Sequence, residues 1–204
     1  MEGEPPELVL LLADQDTRRF VEAVIECGVK RRCLPPVKIE YVVDPMKDSS
    51  VVRRADVLLR SFARRPWPHI VVIWDHHGSG REREFPVAVE EDVLAPVERT
   101  GFPRDHILTL AVDPELEILL GPAWETVLDA LRDIGSQPRP EVAFAAHDPK
   151  KSLEMAAAKA RVKLAPHDFK ELGIRVSIPA LKQSTLGGRL SNQLESWFPW
   201  LPAA

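Results

Sequence analysis

The sequence predicts an α/β protein in which helices flank a mainly parallel sheet, with a helical extension at the C-terminal end. Three observations lead to this expectation. Short apolar runs alternate with amphipathic segments between residues 8 and 112. The connections between these runs are long enough for the crossovers that parallel strands require. The apolar content of 45% over 204 residues is sufficient for one well-buried core.

The first half of this pattern contains two strands and two helices. An apolar run over 8–13 predicts the first strand, and a helix follows over 16–26. The second strand is predicted over 37–43, and Ser49 or Ser50 is a suitable N-cap for a helix that ends near residue 63. The apolar positions expected on the buried face of the first helix are Phe20, Val21, Val24 and Ile25.

The second half repeats the alternation. Residues 69–74 form a third apolar run, and Pro86 suits the first turn of a helix that ends near Thr100. A fourth strand is predicted over 107–112. The resulting order, βαβαβαβ, places any ligand beyond the carboxyl ends of the strands.

The remaining chain is predicted to be helical. A helix should run from Pro122 to about residue 134, where a loop rich in proline and glycine begins. An alanine-rich helix over 149–163, an irregular stretch and a final helix ending at Trp197 follow. We therefore expect residues 1–134 to form the core and residues 135–204 to form an extension packed on it.

Composition excludes several classes of protein. No apolar run approaches membrane-spanning length, since LVLLLA and HIVVIW have the length of buried strands. The start MEGEPPE lacks the basic and apolar regions of a signal peptide, so a cytoplasmic location is expected. The spacing of Cys27 and Cys33 matches neither a redox motif nor a zinc site, which favours reduced thiols. The formal charge of the chain is -4, and the excess of acidic residues lies before residue 141. This distribution argues against a protein that binds polyanions nonspecifically.

Acidic residues follow three of the predicted strands. The segments are ADQDT with Asp14 and Asp16, WDHHGSG with Asp75, His76 and His77, and VDPELE with Asp113, Glu115 and Glu117. Carboxylates are the ligands that Mg²⁺ and Mn²⁺ prefer, and neighbouring parallel strands can bring them together. Glycines at positions 78 and 80 would let the backbone turn tightly beside a metal or a phosphate.

Each acidic segment also has a purely structural interpretation. Asp16 suits a helix N-cap, and the acids of VDPELE suit the first turn of a helix, where they complement the helix dipole. The segment from Asp75 to Gly80 is compatible with a surface turn that carries exposed histidines. Both interpretations stay open on the sequence alone.

Four segments together resemble a known family. WDHHGSG, VDPELE, DPKKSLEMA and QLESWFPW are similar to a Toprim-like component of methylation-associated phage defence systems in bacteria. The resemblance implies a Toprim-like sheet and a metal-dependent phosphoryl-transfer centre. In that centre a glutamate after the first strand assists proton transfer and a DxD pair holds magnesium.

The chain departs from this family pattern at two positions. The expected glutamate is absent, so Asp14 or Asp16 would have to replace it, and His77 stands at the second acid of DxD. The resemblance then implies Asp14, Asp16 and His77 as catalytic groups. Its implied metal ligands are Asp75, Glu115 and Glu117. Because histidine is softer than carboxylate, the change favours Mn²⁺ or Zn²⁺ over Mg²⁺.

Two functions from different classes follow from the resemblance. One is a divalent-metal-dependent nuclease, using Mg²⁺ or Mn²⁺, that acts on nucleic acid within an anti-phage defence system, with DNA as a candidate partner. The other is a catalytically degenerate scaffold that binds other defence-system subunits, and the missing glutamate favours it. No membrane partner is expected.

Basic and aromatic groups outside these segments have two interpretations each. The row Arg53, Arg54, Arg60, Arg64 and Arg65 could follow phosphates, although a solvated helix face is the more frequent arrangement. Lys150 and Lys151 could contact nucleic acid, a partner or solvent. In the tail, Trp197 is expected to cover the domain and Trp200 to dock a partner.

Overall fold

The computed structural model describes residues 4–199, which form two compact units. The first combines the residues up to Asp14 with Pro36–Asp113, and the second combines Gln15–Pro35 with the chain from Pro114 onward. These boundaries differ from the sequence-based division after residue 134. The difference arises because the first helix packs against a helix of the C-terminal region and belongs to the same unit.

The chain forms an α/β fold with four strands and eight helices in residues 4–199. The strands are β1 Leu8–Leu12, β2 Ile39–Val43, β3 His69–Asp75 and β4 Ile107–Val112. The helices are α1 Gln15–Lys30, α2 Asp48–Leu59, α3 Pro86–Arg99, α4 Trp124–Gly135, α5 Pro149–Lys159, α6 Pro166–Arg175, α7 Ile178–Leu181 and α8 Thr185–Trp197. Short 3₁₀ segments cover Arg60–Phe62, Arg104–His106 and Leu116–Ala123.

All four strands lie in one parallel sheet of order β2-β1-β3-β4 in the first unit. The predicted parallel α/β architecture and helical C-terminal region are therefore confirmed. Leu8 of β1 aligns with Ile39 on one side and with His69 on the other, so β1 is central and every residue of it is buried. A strand buried on both faces has a continuous apolar sequence, as LVLLL does.

Helices α2 and α3 pack on one face of this sheet. Val51, Ala55 and Leu59 of α2 and Val89, Val93 and Val97 of α3 are buried at the helical spacing of three or four residues. They contact strand side chains that include Val9, Leu11, Val72 and Trp74. The amphipathic patterns of the two segments therefore account for their positions.

A buried glutamate supports the outer edge of β4, which is an edge strand of the sheet. Glu90 of α3 is only 5% exposed, and its Oε1 accepts a 2.9 Å hydrogen bond from the N–H of Ala111. The backbone carbonyl of Glu90 accepts a second bond, from Oγ1 of Thr109. A side chain thus supplies a partner to a backbone donor of the edge strand.

The second unit is built around close contact between α1 and α6. A Cβ atom placed on Gly173 would lie 2.6 Å from the backbone oxygen of Phe20, so the two helix backbones approach at this glycine. Elsewhere in the unit, Nε1 of Trp124 donates a 2.7 Å hydrogen bond to the carbonyl of Val142. The Trp124 ring also lies 5.1 Å from that of Phe144, centroid to centroid.

Three local expectations were wrong or need adjustment. Helix α2 begins at Asp48 and no serine caps it, since its N-cap is Lys47 and Ser50 is buried inside the first turn. The stretch expected to be irregular contains α6 and α7. Asp16 lies in the first turn of α1, which begins one residue earlier, and so is not the N-cap.

Two further findings concern the classes considered above. Cys27 and Cys33 are both free thiols. Within residues 4–199, none of the helices combines the length and apolar character needed to span a bilayer.

Candidate functional site

The carboxyl edge of the sheet in the first unit is rich in aspartates. Asp14 follows β1, Asp75 ends β3, and Asp48 is the first residue of α2. The strand order reverses between β1 and β3, which is where ligands bind in open parallel sheets. Sequence reasoning missed Asp48 because it lies five residues beyond its strand, in a segment typical of a turn.

A backbone hydrogen bond joins two of these residues. The N–H of Asp75 donates to Oδ1 of Asp48 at 2.8 Å, which ties the end of β3 to the start of α2. A Cβ atom on Gly78 would lie 3.8 Å from Oδ2 of Asp48, so the loop after β3 passes beside the same carboxylate. Asp48 therefore organises this edge of the sheet.

Opposing electrostatic effects act on the carboxyl group of Asp48. Burial raises the pKa of Asp48 above its usual value, and the negative charge of Asp14 raises it further. The N–H groups of Asp75 and of Asp48 itself, together with the charge of Lys47, act in the opposite direction without cancelling the rise. The folded protein thus carries a carboxylate whose ionised form is disfavoured.

Asp44, which follows β2, is another buried carboxylate of this edge. It is 3% exposed, and Oδ1 accepts a 2.9 Å hydrogen bond from the N–H of Met46. Its backbone N–H donates to the carbonyl of Leu12, which continues the pairing of β2 with β1. Buried Oδ2 has no hydrogen-bond partner among residues 4–199. Asp44 acts mainly as the acceptor that shapes the turn before α2.

The glycine-rich loop after β3 is closed by one of its own side chains. Gly78 and Gly80 have φ angles of 94° and 82°, a conformation that glycine adopts without strain. Their N–H groups donate to Oε1 of Glu82 at 2.9 and 3.0 Å. The two glycines were predicted to let the backbone turn beside a phosphate or a metal, and their N–H groups bind a carboxylate of the same loop.

The electrostatics of the loop follow from this arrangement. Hydrogen bonds from the backbone N–H groups of Glu82, Gly80 and Gly78 lower the pKa of the Glu82 carboxyl, and the charge of His77 adds to the effect. His77 itself is exposed. The neighbouring His76 is buried, and its Nε2 lies 3.1 Å from the carbonyl oxygen of Glu84. His76 therefore has a structural position, whereas His77 faces solvent.

The other predicted site residues belong to the second unit. Asp16 lies in the first turn of α1. Glu115 precedes the 3₁₀ segment Leu116–Ala123, and Glu117 is 8% exposed within it. Nζ of Lys150, on α5, lies 3.4 Å from Oε1 of Glu115. The acids of VDPELE thus begin a helical segment, as the structural interpretation of this motif expected.

The structure does not bring together the metal ligands that the family pattern implies. Within residues 4–199, no group of three or more His, Cys, Asp or Glu side chains is arranged to hold a metal ion. The roles assigned to Asp14, Asp16, Asp75, His77, Glu115 and Glu117 stay predictions.

Large apolar side chains are exposed on two loops of the same edge. Phe85 and Val87, at the start of α3, are 84% and 69% exposed, and Met46, in the turn after β2, is 63% exposed. Both segments follow carboxyl ends of parallel strands. This feature could not be predicted from the sequence, because Phe85 and Val87 have the apolar character expected of a core helix.

The aromatic tail and the basic row are only partly accounted for. Trp197 and Phe198 are half-buried at the end of α8, and Trp200 lies outside the described residues. Arg60 pairs with Asp56 at 3.8 Å. Arg53 and Arg54 are exposed on α2, as expected for a solvated face.

The chain was compared with protein-family models, curated proteins and solved structures, and none of them matches it.

Proposed function

We propose that the chain is a Toprim-like component of a prokaryotic anti-phage defence system, in which it serves as a binding subunit for other defence proteins. The observation that carries the proposal is the exposure of Phe85, Val87 and Met46 on the carboxyl-edge loops. A contiguous patch of exposed apolar side chains is typical of protein interaction surfaces, and the proposal is that these three side chains form one. We call these three residues the edge surface.

The chemistry of the edge surface suits a protein partner. Burying a large apolar side chain contributes roughly 1.5–3 kcal/mol, and aromatic anchors dominate most interfaces. The backbone of Phe85 is fixed at the N-cap of α3, shortly after a loop that the hydrogen bonds of Glu82 close, so the position of this anchor is defined before binding. A fixed anchor loses less entropy on binding than a mobile one.

The polar groups nearby also favour a binding role over catalysis. Glu82 occupies the N–H donors of Gly78 and Gly80, and Asp48 accepts the N–H of Asp75. Both arrangements use groups that a phosphoryl-transfer centre would direct at its substrate. The assignment to a defence system rests on the resemblance of four segments of the sequence.

Co-purification tests the binding role. The tagged chain would be co-expressed with the products of the adjacent genes, and the affinity of any complex would be measured with purified partners. Phe85→Ser with Val87→Ser should weaken binding by about tenfold or more. Met155→Ser, which changes a 48% exposed methionine of the second unit, is the matched control and should leave it unchanged. If the double variant and the control bind the partner with equal affinity, the edge surface is not the binding site.

The second candidate function is a metal-dependent nuclease acting on DNA. One specific observation favours it, namely the repulsion by which Asp14 raises the pKa of Asp48. Negative charges crowded at a ligand-binding edge are typical of sites that gain stability from a bound cation.

A pair of measurements separates the two candidates. Plasmid nicking by the purified chain in Mn²⁺ or Mg²⁺, abolished by Asp75→Asn and retained in Asp56→Asn, would favour the nuclease. Melting curves give an independent readout, because a cation bound only to the native state stabilises it by about 2.7 kcal/mol at 100 times its dissociation constant. The binding role predicts no nicking and the same melting temperature with and without Mn²⁺.

A further inference from the structure

A cavity of about 560 Å³ lies in the first unit, away from the aspartates and the edge surface. Its wall includes Phe62, Arg64, Arg65 and prolines of the segments that precede β1 and β3. Because those strands are parallel, the cavity adjoins their amino ends, whereas the aspartates lie at the carboxyl ends. Its volume is within the roughly 300–1,000 Å³ of small-molecule sites.

Two arginines bring positive charge to the cavity. Arg64 and Arg65 are exposed, and neither forms an ion pair within residues 4–199. The guanidinium carbon of Arg65 lies 4.5 Å from the ring centroid of Trp67. Stacking of this kind occupies the face of a guanidinium and leaves its N–H groups available in the plane. An anion with two or more acceptor oxygens suits this pair of arginines.

The negative charge nearby is smaller than the positive charge. Glu4 is the acidic residue of the wall, and its backbone carbonyl accepts a hydrogen bond from Nζ of Lys38. Lys38 therefore adjoins the cavity, as does the Glu7 carboxylate that accepts its backbone N–H. Among the described residues of the wall, two arginines against Glu4 leave a net charge of +1, although the chain as a whole is acidic at -4. A local charge opposite to that of the whole chain would attract an anion to this place.

The rest of the described wall is apolar. Phe62 is half-buried against the core of the first unit, and Pro5, Pro6 and Pro66 line the same cavity. Aromatic and proline rings accept a planar group by stacking, and base stacking on aromatic side chains contributes about 1–3 kcal/mol. A ligand that matches both parts has a phosphate group and a planar ring.

We propose that this cavity binds a 5′-phosphorylated nucleotide, whose phosphate contacts Arg64 and Arg65 and whose base stacks on Phe62. The site is separate from the edge surface and from the aspartates, so it does not depend on the function proposed above. The same chemistry is offered by a free nucleotide and by the 5′ end of a nucleic-acid strand.

Calorimetric titration of the full chain tests the site with defined probes. AMP should bind saturably at one site, and more tightly than adenosine, inorganic phosphate or citrate. If a 5′-phosphorylated oligoadenylate competes with AMP and binds with the same affinity, the ligand is the 5′ end of a strand. If it does not compete, the ligand is a free nucleotide. Absence of saturable AMP binding, or equal affinity for citrate or adenosine, would overturn the proposal.

Variants then locate the binding. Arg64→Gln and Arg65→Gln should each weaken AMP binding about tenfold or more, because each removes a charge-assisted hydrogen bond. Arg53→Gln with Arg54→Gln removes charge from exposed arginines outside the cavity and should change nothing. Phe62→Leu should weaken AMP but not phosphate. Phe62 also packs on the core, so its substitution can change stability as well as binding. The arginine variants should melt at the wild-type temperature and therefore report on binding alone. AMP affinity that is unaffected in both arginine variants would overturn the assignment.

Discussion

The backbone N–H of Asp75 donates a 2.8 Å hydrogen bond to Oδ1 of Asp48. The last residue of the central strand β3 is thereby tied to the first residue of the helix that follows β2, and β1 lies between these two strands in the sheet. The bond fixes the geometry at the point where ligands of parallel sheets bind. It also keeps a carboxylate partly buried beside the negative charge of Asp14, against the preference of its ionised form.

Two substitutions at Asp48 should have opposite effects on stability. Asp48→Ala removes the acceptor and leaves the N–H of Asp75 without it, which should cost about 1–3 kcal/mol of unfolding free energy. Asp48→Asn keeps a carbonyl oxygen and removes the disfavoured charge, so it should equal or exceed the wild type in stability at pH 7. Urea unfolding measures both, with Asp56→Asn of the same helix as a control.

The advantage of Asp48→Asn should depend on pH. The pKa of Asp48 is raised in the folded state, so between its ordinary value of 3.8 and the raised value the folded protein binds more protons than the unfolded chain. The contribution of Asp48 to the stability of the wild type therefore falls as pH rises through that window. The variant lacks this titration, and its advantage should vanish in acid. A constant difference from pH 3 to pH 7 would contradict the assignment.

Much of the sheet could be predicted because its chemistry is local. LVLLL and HIVVIWD are continuous apolar runs with the length of buried strands, and β1 and β3 follow these runs closely. The α6 segment was missed because prolines surround it, although Pro166 stands in its first turn and the Asp168 carboxylate accepts the N–H of Ala165 at 2.8 Å. Those features are start signals for a helix that the sequence does contain.

The site was harder to predict because its contacts are distant in sequence. The bond between Asp75 and Asp48 spans 27 residues, and nothing near either residue indicates the other. Glu90 has the same property, since a charged residue on a helix is ordinarily a sign of a solvated face. The membership of α1 in the second unit likewise depends on α6, more than a hundred residues later. Local patterns contain no information on such pairings.

Glu90 should be among the most sensitive charged positions of the first unit. Glu90→Ala removes the acceptor for the N–H of Ala111 in a buried place, and we expect a loss of about 1–3 kcal/mol in unfolding free energy. Glu90→Gln keeps a carbonyl acceptor and should lose less. Glu91→Ala alters an exposed pair with Arg104 and should cost less than about 1 kcal/mol. Equal losses at positions 90 and 91 would show that the buried bond contributes nothing.

Gly173 should tolerate no side chain. Alanine favours a helix over glycine by about 1 kcal/mol, but its Cβ would lie 2.6 Å from the carbonyl oxygen of Phe20 and 2.9 Å from Cβ of Ala23. The obstacle is the backbone of α1, so relief requires the helices to separate. Gly173→Ala should therefore destabilise the protein by about 1–3 kcal/mol. Gly28→Ala meets only the flexible end of Leu34 and Ile178 and should cost less.

The stacked pair His69 and His106 should make stability fall in weak acid. Their ring centroids are 4.2 Å apart. Burial lowers the pKa of His69 to about 4, the charge of His106 acts in the same direction, and that of Asp105 opposes it. In the unfolded chain the pKa returns to about 6.5, so the unfolded state binds the extra proton first. The contribution of His69 to the free energy of unfolding is thus complete above pH 6.5 and is lost as pH falls towards 4.

Replacing His69 with an aromatic ring that does not titrate tests this sign. His69→Phe can keep the stacking with His106 and removes the proton uptake, so its unfolding free energy should fall less than that of the wild type between pH 7 and pH 4. His147→Gln removes an exposed histidine of the second unit and serves as the control. Urea unfolding at intervals of half a pH unit provides the slopes. Parallel curves for wild type and His69→Phe would mean that another group causes the acid sensitivity.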